Sequence, residues 1–361
     1  MNLVKENILK IKPYQPGKPI EEVQRELGLK KIIKLASNEN PLGPCPKAVR
    51  AIKDNLNSLN RYPDGNCFYL KRKVAKSLKI NSNNIIFGNG SDEIIDIIIK
   101  TFLKKDELVI TSRVTFLEYK IVTLVNAGKI IEVPLRNFSY DLDAIRKKIT
   151  NKTKLIFIAN PNNPTGRYVN KKILEDFLKN IPRNVIVVLD EAYLEFVDVK
   201  DFPNGLNYLN KYNVIVMRTF SKAYGLSGLR LGYAIARPDL VKNMEKARQP
   251  FNINYLAQIA GSACFNDKVF LNKTKKIILE GKIFLYKNFK KIGIKYIPSV
   301  ANFILINIKE DGLIFFEKML KYGIIVRDMK QYGLNNYIRV TIGTNRENKK
   351  FIEVLKKMLK R

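Results

Sequence analysis

The chain predicts an α/β fold in which a mainly parallel sheet lies between helices, followed by a smaller α+β unit. Three observations carry this expectation. Apolar runs at 85–87, 108–111, 155–159, 185–189, 214–217 and 232–235 lack polar alternation, the pattern of strands buried on both faces. Helix-like segments at 92–103, 171–180 and 239–247 fall between them, as right-handed crossovers between parallel strands require. At 361 residues the chain is also longer than a single core usually fills, so two units are expected.

In chain order, the first 30 residues carry Pro13, Pro16 and Pro19 and are expected to wrap back onto the later unit. The alternating apolar runs then occupy the middle of the chain. Beyond about residue 255 the pattern changes: 254–265 and the lysine-rich stretch through Lys291 read as helices, and 303–308, 323–326 and 337–341 as strands. The resulting division is an N-terminal segment at 1–32, a large domain at 33–255 and a small domain at 256–361. No internal repeat or low-complexity linker interrupts it.

Composition narrows the function. Hydrophobic residues make up 46% of the chain, which fits a globular protein, and no window approaches the length of a membrane span. The N-terminus lacks the apolar stretch of a secretory signal. Cys45, Cys67 and Cys264 are few and scattered, which suits a reducing cytoplasm and offers no metal framework. The absence of histidine excludes a Ser-His-Asp triad, a Cys-His pair and histidine-ligated metals. The formal charge of +32, from 65 basic and 33 acidic residues, raises nucleic-acid binding. Yet the basic residues are dispersed, as in Lys71-Arg72-Lys73 and Lys147-Lys148, without a recognition helix or an aromatic RNA-binding pattern. A solvated basic surface that draws anionic substrates is the simpler account, and no nucleic-acid or membrane partner is expected.

The chemistry centres on Lys222, in Thr219-Phe220-Ser221-Lys222-Ala223-Tyr224-Gly225, just after an apolar run. A lysine held between a buried strand and a glycine turn suits a Schiff base with a carbonyl cofactor. Thr219, Ser221 and Arg230 supply donors for that cofactor's phosphate, and the set points to pyridoxal 5′-phosphate. Gly88-Asn89-Gly90-Ser91-Asp92 follows a strand and opens a helix, where free amides bind phosphate oxygens. Ser91 as a plain N-cap would look the same.

Asp190 ends another apolar run, where open α/β sheets place ligands, and could pair with a protonated pyridine nitrogen. An Asp capping the next helix is the alternative. Tyr193, three residues on, could donate to the ring oxygen. So could Asn163, held by the prolines of Asn160-Pro161-Asn162-Asn163-Pro164-Thr165-Gly166. Phe116 could stack on a flat ring or be an ordinary core residue. Arg327 and Arg339, in or beside strands, offer guanidinium forks for carboxylate or phosphate. Taken singly, either would pass for a surface residue.

Together these pieces resemble the aspartate aminotransferase superfamily of fold type I, and within it the histidinol-phosphate aminotransferases. The match runs almost end to end, through Pro13-Tyr14-Gln15-Pro16-Gly17, Ser37-Asn38-Glu39-Asn40-Pro41, Asn60-Arg61-Tyr62-Pro63 and Arg248-Gln249-Pro250-Phe251-Asn252. The resemblance implies a seven-stranded sheet, Lys222 as the Schiff-base lysine, Asp190 at the pyridine nitrogen, and Asn163 and Tyr193 at the ring oxygen. It further implies Phe116 stacked on the ring and Ser91, Asp92, Thr219, Ser221 and Arg230 around the phosphate. Tyr62 would reach a neighbouring subunit's site, implying a homodimer, and Tyr14, Asn38, Arg327 and Arg339 would handle anionic substrate ends. The implied reaction interconverts L-histidinol phosphate and 2-oxoglutarate with imidazole acetol phosphate and L-glutamate. Threonine-phosphate decarboxylases and broader aromatic aminotransferases share the cofactor residues and remain alternatives.

Overall fold

The computed structural model describes residues 3–359. Seven strands form the large sheet: β2 (Ile85–Asn89), β3 (Leu108–Ser112), β4 (Lys129–Val133), β5 (Thr153–Ala159), β6 (Ile186–Asp190), β7 (Val214–Thr219) and β8 (Leu231–Ile235), in the order β2-β8-β7-β6-β5-β3-β4. All neighbours pair in parallel except β8, which runs antiparallel to both β2 and β7. Every residue of β3, β6, β7 and β8 is buried, as continuous apolar runs covered on both faces should be. The sequence reading omits β4. It is an edge strand whose Lys129 is exposed and whose apolar residues are broken by Glu132, so its apolar run is too short to stand out.

Helices Gly90–Phe102, Lys171–Lys179 and Pro238–Ala247 bury one stripe each against this sheet, close to the spans expected. Their starts follow capping rules: Asn170 accepts from the Ile173 amide, and Pro238 occupies a first-turn position.

The later unit is built on a four-stranded antiparallel sheet, β12 (Arg327–Asp328), β13 (Tyr337–Thr341), β10 (Phe303–Asn307) and β9 (Lys295–Ile297), in that order. Helix Lys268–Ile292 packs on it through Ile278, Leu285 and Phe289, and ends at Gly293, whose φ of 76° lies in the left-handed region. The single strand expected at 323–326 is instead divided. Ile324–Ile325 (β11) pairs in parallel with Ile33–Lys34 (β1), and only the residues from Arg327 onward join the four-stranded sheet. Val23 of helix Ile20–Leu27 packs with Ala36, Leu320 and Ile325.

Two large apolar cores result among the described residues. One lies around the large sheet. The other, around β10 and β13, also takes in Leu35, which follows β1, and Tyr193 and Ala223, from the segments after β6 and β7. The functional side chains described next stand where these two cores meet.

Candidate active site

A cavity of about 270 Å³ opens beyond the carboxyl ends of the adjacent strands β5, β6 and β7, the place where open α/β sheets hold ligands. Its walls include Ala159, Asp190 and Thr219, the last residue of each of those strands. Tyr14, Asn38, Ser91, Asp92, Phe116, Asn163, Tyr193, Ser221, Lys222, Arg230, Arg327 and Arg339 all line it too. Of the residues singled out from sequence, Tyr62 alone stands apart, 84% exposed and stacked on Phe251 at 4.9 Å between ring centroids.

Lys222 follows β7 in a turn closed by the Gly225 amide donating to its carbonyl. Gly225 adopts a φ of 69°, and its α-carbon faces the Gly43 carbonyl too closely to admit a Cβ, so glycine is required there. The ammonium donates to the Ser37 carbonyl at 3.0 Å and lies 5.9 Å from the centre of the Tyr193 ring. Burial, and then the positive charge of Arg339, lower its pKa to about 8.

Asp190 is 6% exposed. Its Oδ2 accepts from the Tyr119 hydroxyl at 2.6 Å, and its Oδ1 from the Ala192 amide at 3.0 Å. Burial pushes the carboxyl up to about 6 against the opposing pull of those hydrogen bonds, and the nearby charges of Asp92 and Glu191 push the same way as burial. The capping alternative fails: Asp190 bonds the amide two residues on, but Tyr193 holds the cap position of the short helix Leu194–Phe196.

The Asn-Pro segment is held by its own side chains. Asn160 exchanges two hydrogen bonds with the Val169 backbone, while Asn162 accepts from Thr115 and donates to the Val114 carbonyl and to Thr165. Both Asn160-Pro161 and Asn163-Pro164 are cis. Asn163 is left facing the cavity, with its Oδ1 accepting from Arg339 Nη1. Asn38 is tied to the later unit by its amide to Thr341 Oγ1 and its carbonyl to Asn302, and it donates to the Tyr193 hydroxyl at 2.9 Å. Tyr193 therefore keeps its own proton to give away, and burial pushes its pKa up to about 12.

At the far end, helix Gly90–Phe102 points its first turn at the cavity. Ser91 is the second residue of this helix and Asn89 holds the cap position, so the N-cap alternative for Ser91 is excluded. Arg230 Nη2 donates to Asp92 Oδ2 at 2.8 Å, and the Ser221 amide donates to Thr219 Oγ1. A Cβ on Gly90 would collide with Arg230, and one on Gly232 would sit 2.7 Å from the Gly90 carbonyl carbon and the Ser91 nitrogen. These contacts let β8 press against the helix start and bring Arg230 beside its first turn.

Arg327 and Arg339 are 7% and 6% exposed, so neither is the surface residue that its composition context suggests. Arg327 donates to the Gln15 carbonyl and lies 5.7 Å over the Tyr14 ring; Arg339 donates to the Ala36 carbonyl at 2.6 Å and lies 5.3 Å over Phe303.

This donor set fits pyridoxal 5′-phosphate. A weakened lysine suits the aldehyde, and a buried carboxylate next to negative charges calls for a cation such as a pyridinium. Two hydroxyls, an arginine and a helix start suit a phosphate. Sequence reasoning missed Tyr119, Ser227 and Glu39, which also line the cavity. For Tyr119 the available signal was its position three residues after Phe116, in the first turn of the helix that follows.

The chain matches the family model described as aminotransferase class I and II over residues 30–355. It is 47% identical to the histidinol-phosphate aminotransferase of Moorella thermoacetica over 98% of this chain and 92% of that protein. Among solved structures, histidinol-phosphate aminotransferase from Sinorhizobium meliloti in complex with pyridoxal-5′-phosphate superposes with a TM-score of 0.91 at 25% identity, covering 100% of this chain and 98% of that one. A double mutant of Thermus thermophilus aspartate aminotransferase superposes with a TM-score of 0.83 at 19% identity, over 98% and 100% of the two chains. The fold is aspartate aminotransferase-like.

Proposed function

The chain belongs to the aminotransferase class I and II family, and from its site and its relatives we propose that it is a histidinol-phosphate aminotransferase of histidine biosynthesis. It exchanges the amino group between L-histidinol phosphate with 2-oxoglutarate and imidazole acetol phosphate with L-glutamate. The observation that carries the reading is the convergence of Lys222, buried Asp190 and a helix start with Arg230 on one cavity, in a chain close to half identical to a histidinol-phosphate aminotransferase.

Bound pyridoxal 5′-phosphate supplies an electron-poor ring that takes up the electron pair left when a proton departs the substrate's α-carbon. The protein supplies everything else. Thr219, Ser221, Arg230 and the amides of Ser91 and Asp92 hold the phosphate. Phe116 would cover one face of the ring, Asn163 and Tyr193 would donate to its oxygen, and Asp190 would supply a negative charge for its nitrogen. Lys222 would hold the aldehyde through Nζ, and its amine is the group placed to take and return a proton at the substrate's α-carbon. That transfer needs a neutral amine, which burial and Arg339 favour. Tyr14, Asn38, Arg327 and Arg339 take the anionic ends of the two substrates.

The proposed assembly is a homodimer. Tyr62 and its sequence neighbours Leu56, Leu59, Phe68 and Tyr69 are all exposed large hydrophobics, apolar surface that a second copy would cover. The proposed boundaries stay at residues 32 and 255; separate cores around the two sheets support a division into two units, with helix Tyr255–Cys264 packing into the first core through Ala257, Ala260 and Cys264, and Leu35 into the second. The proposed location is the cytoplasm, supported by three free, buried cysteines among the described residues. No helix among the described residues is long and apolar enough to cross a membrane.

The test is incubation with histidinol phosphate and 2-oxoglutarate, and separately with threonine phosphate, following glutamate and carbon dioxide. Glutamate without gas supports the aminotransferase; gas without glutamate would move the chain to the decarboxylases.

A further inference from the structure

Tyr119 is fully buried in the first turn of helix Glu118–Val125, and nothing in the reaction outlined above uses it. Its place is fixed on three sides. The ring stacks on Phe157 at 4.8 Å with an interplanar angle of 18°, and it meets Phe116 edge-on at 5.7 Å and 86°. Its carbonyl accepts from Thr123 Oγ1 at 2.6 Å. The hydroxyl is thereby delivered to Asp190 Oδ2 at 2.6 Å, the length of a charge-assisted bond.

The carboxylate has few other friends. The Ala192 amide serves Oδ1, and the charged groups facing it, Asp92 and Glu191, are both negative. Tyr140 and Tyr193 lie near enough to feel its charge, but their hydroxyls are engaged with Thr115 and Asn38. Among the described residues the Tyr119 phenol is therefore the one side-chain donor bonded to Asp190. Burial and the neighbouring carboxylate raise the phenol's own pKa well above its ordinary value, so it remains a donor throughout the working range of pH. An imidazole in this place would change charge near pH 6.5; the chain contains none.

We propose that Tyr119 is a positioning residue for the transamination: it holds Asp190 as a carboxylate against the cofactor's ring nitrogen and, through its edge on Phe116, fixes the side chain that covers the ring. The inference rests on the aminotransferase reading for its purpose, but its test does not depend on turnover. In cofactor-free protein, the Asp190 carboxyl is titrated by infrared difference spectroscopy, with Asp190→Asn identifying its band. Tyr119→Phe should raise that pKa by about one to two units, the worth of a hydrogen bond to a charged group. Equilibrium dialysis of pyridoxal 5′-phosphate should show a dissociation constant about tenfold to a hundredfold higher, with the largest loss at acid pH. Tyr119→His restores a donor and should recover part of both, which a merely structural role would not. An unchanged Asp190 titration in Tyr119→Phe overturns the inference. So does equal loss of affinity in the Phe and His variants with the parental carboxyl pKa. A parent protein that binds the cofactor but transfers no amino group from either substrate overturns the function reading alone.

Discussion

The protonation of Lys222 gives the most direct test of the site's electrostatics. Burial and Arg339 bring its pKa from 10.5 to about 8. At pH 7 an amine of pKa 8 is about one-tenth neutral, whereas at 10.5 about one molecule in 3,000 is, so the site raises the reactive fraction about 300-fold. Replacing Arg339 by Gln removes the second cause and leaves the first, and should move the pKa upward by about half a unit to one unit. The assay needs no substrate. Cofactor-stripped protein is mixed with pyridoxal 5′-phosphate between pH 6 and 10, quenched with borohydride, and the labelled Lys222 peptide is quantified. The initial capture rate should rise to a plateau with a midpoint near 8 in the parent and higher in Arg339→Gln. A parental midpoint at 10 or above, or a downward shift in the variant, would refute the reasoning.

Asp190 makes a second pH-dependent prediction. Its pKa rises from 3.8 in the unfolded chain to about 6 in the fold, so its stabilising contribution is full below about pH 4 and is lost as pH rises through 6. In cofactor-free protein this should amount to about 3 kcal/mol, read as the difference between parent and Asp190→Asn in denaturant titrations at pH 4 and 7. Gly232→Ala places a methyl 2.7 Å from backbone atoms that cannot swing aside, so unfolding should cost about 1–3 kcal/mol less and cofactor dialysis should show weaker retention. Unchanged values on both counts would mean the helix start is not held by that contact. The pair Arg218 and Glu191, 7% and 3% exposed and joined at 2.8 Å, should behave as a buried ion pair. Arg218→Met should lose about 3–5 kcal/mol in urea titrations, and adding Glu191→Gln should recover part of it, because the stranded charge and not the lost attraction sets the cost.

How much of this was legible in the sequence follows from the range of the interactions involved. The strands β3, β5, β6, β7 and β8 could be read because burial on both faces is written locally, as uninterrupted apolar residues. The two-residue strands β1 and β11 could not, because they are made by each other: Ile33 meets Ile324 across 291 positions, and neither segment alone exceeds a dipeptide. The site divides in the same way. Lys222, Asp190 and Asn163 announce themselves because a strand end, a turn and the reactive residue are contiguous, so type and context arrive together. Arg339 is in a strand like many others, and only its bonds to Ala36 and Asn163, 303 and 176 positions away, separate it from the dispersed surface charge. Tyr119 is the sharpest case. It stands three residues after Phe116, but a core tyrosine would share that spacing. What distinguishes it is the carboxylate 71 positions on, which burial would neutralise without a donor. Local pattern thus points to the candidate reactive groups that the fold gathers in one cavity. The groups that set their protonation become visible only when the chain has folded and shown which buried charge needs which partner.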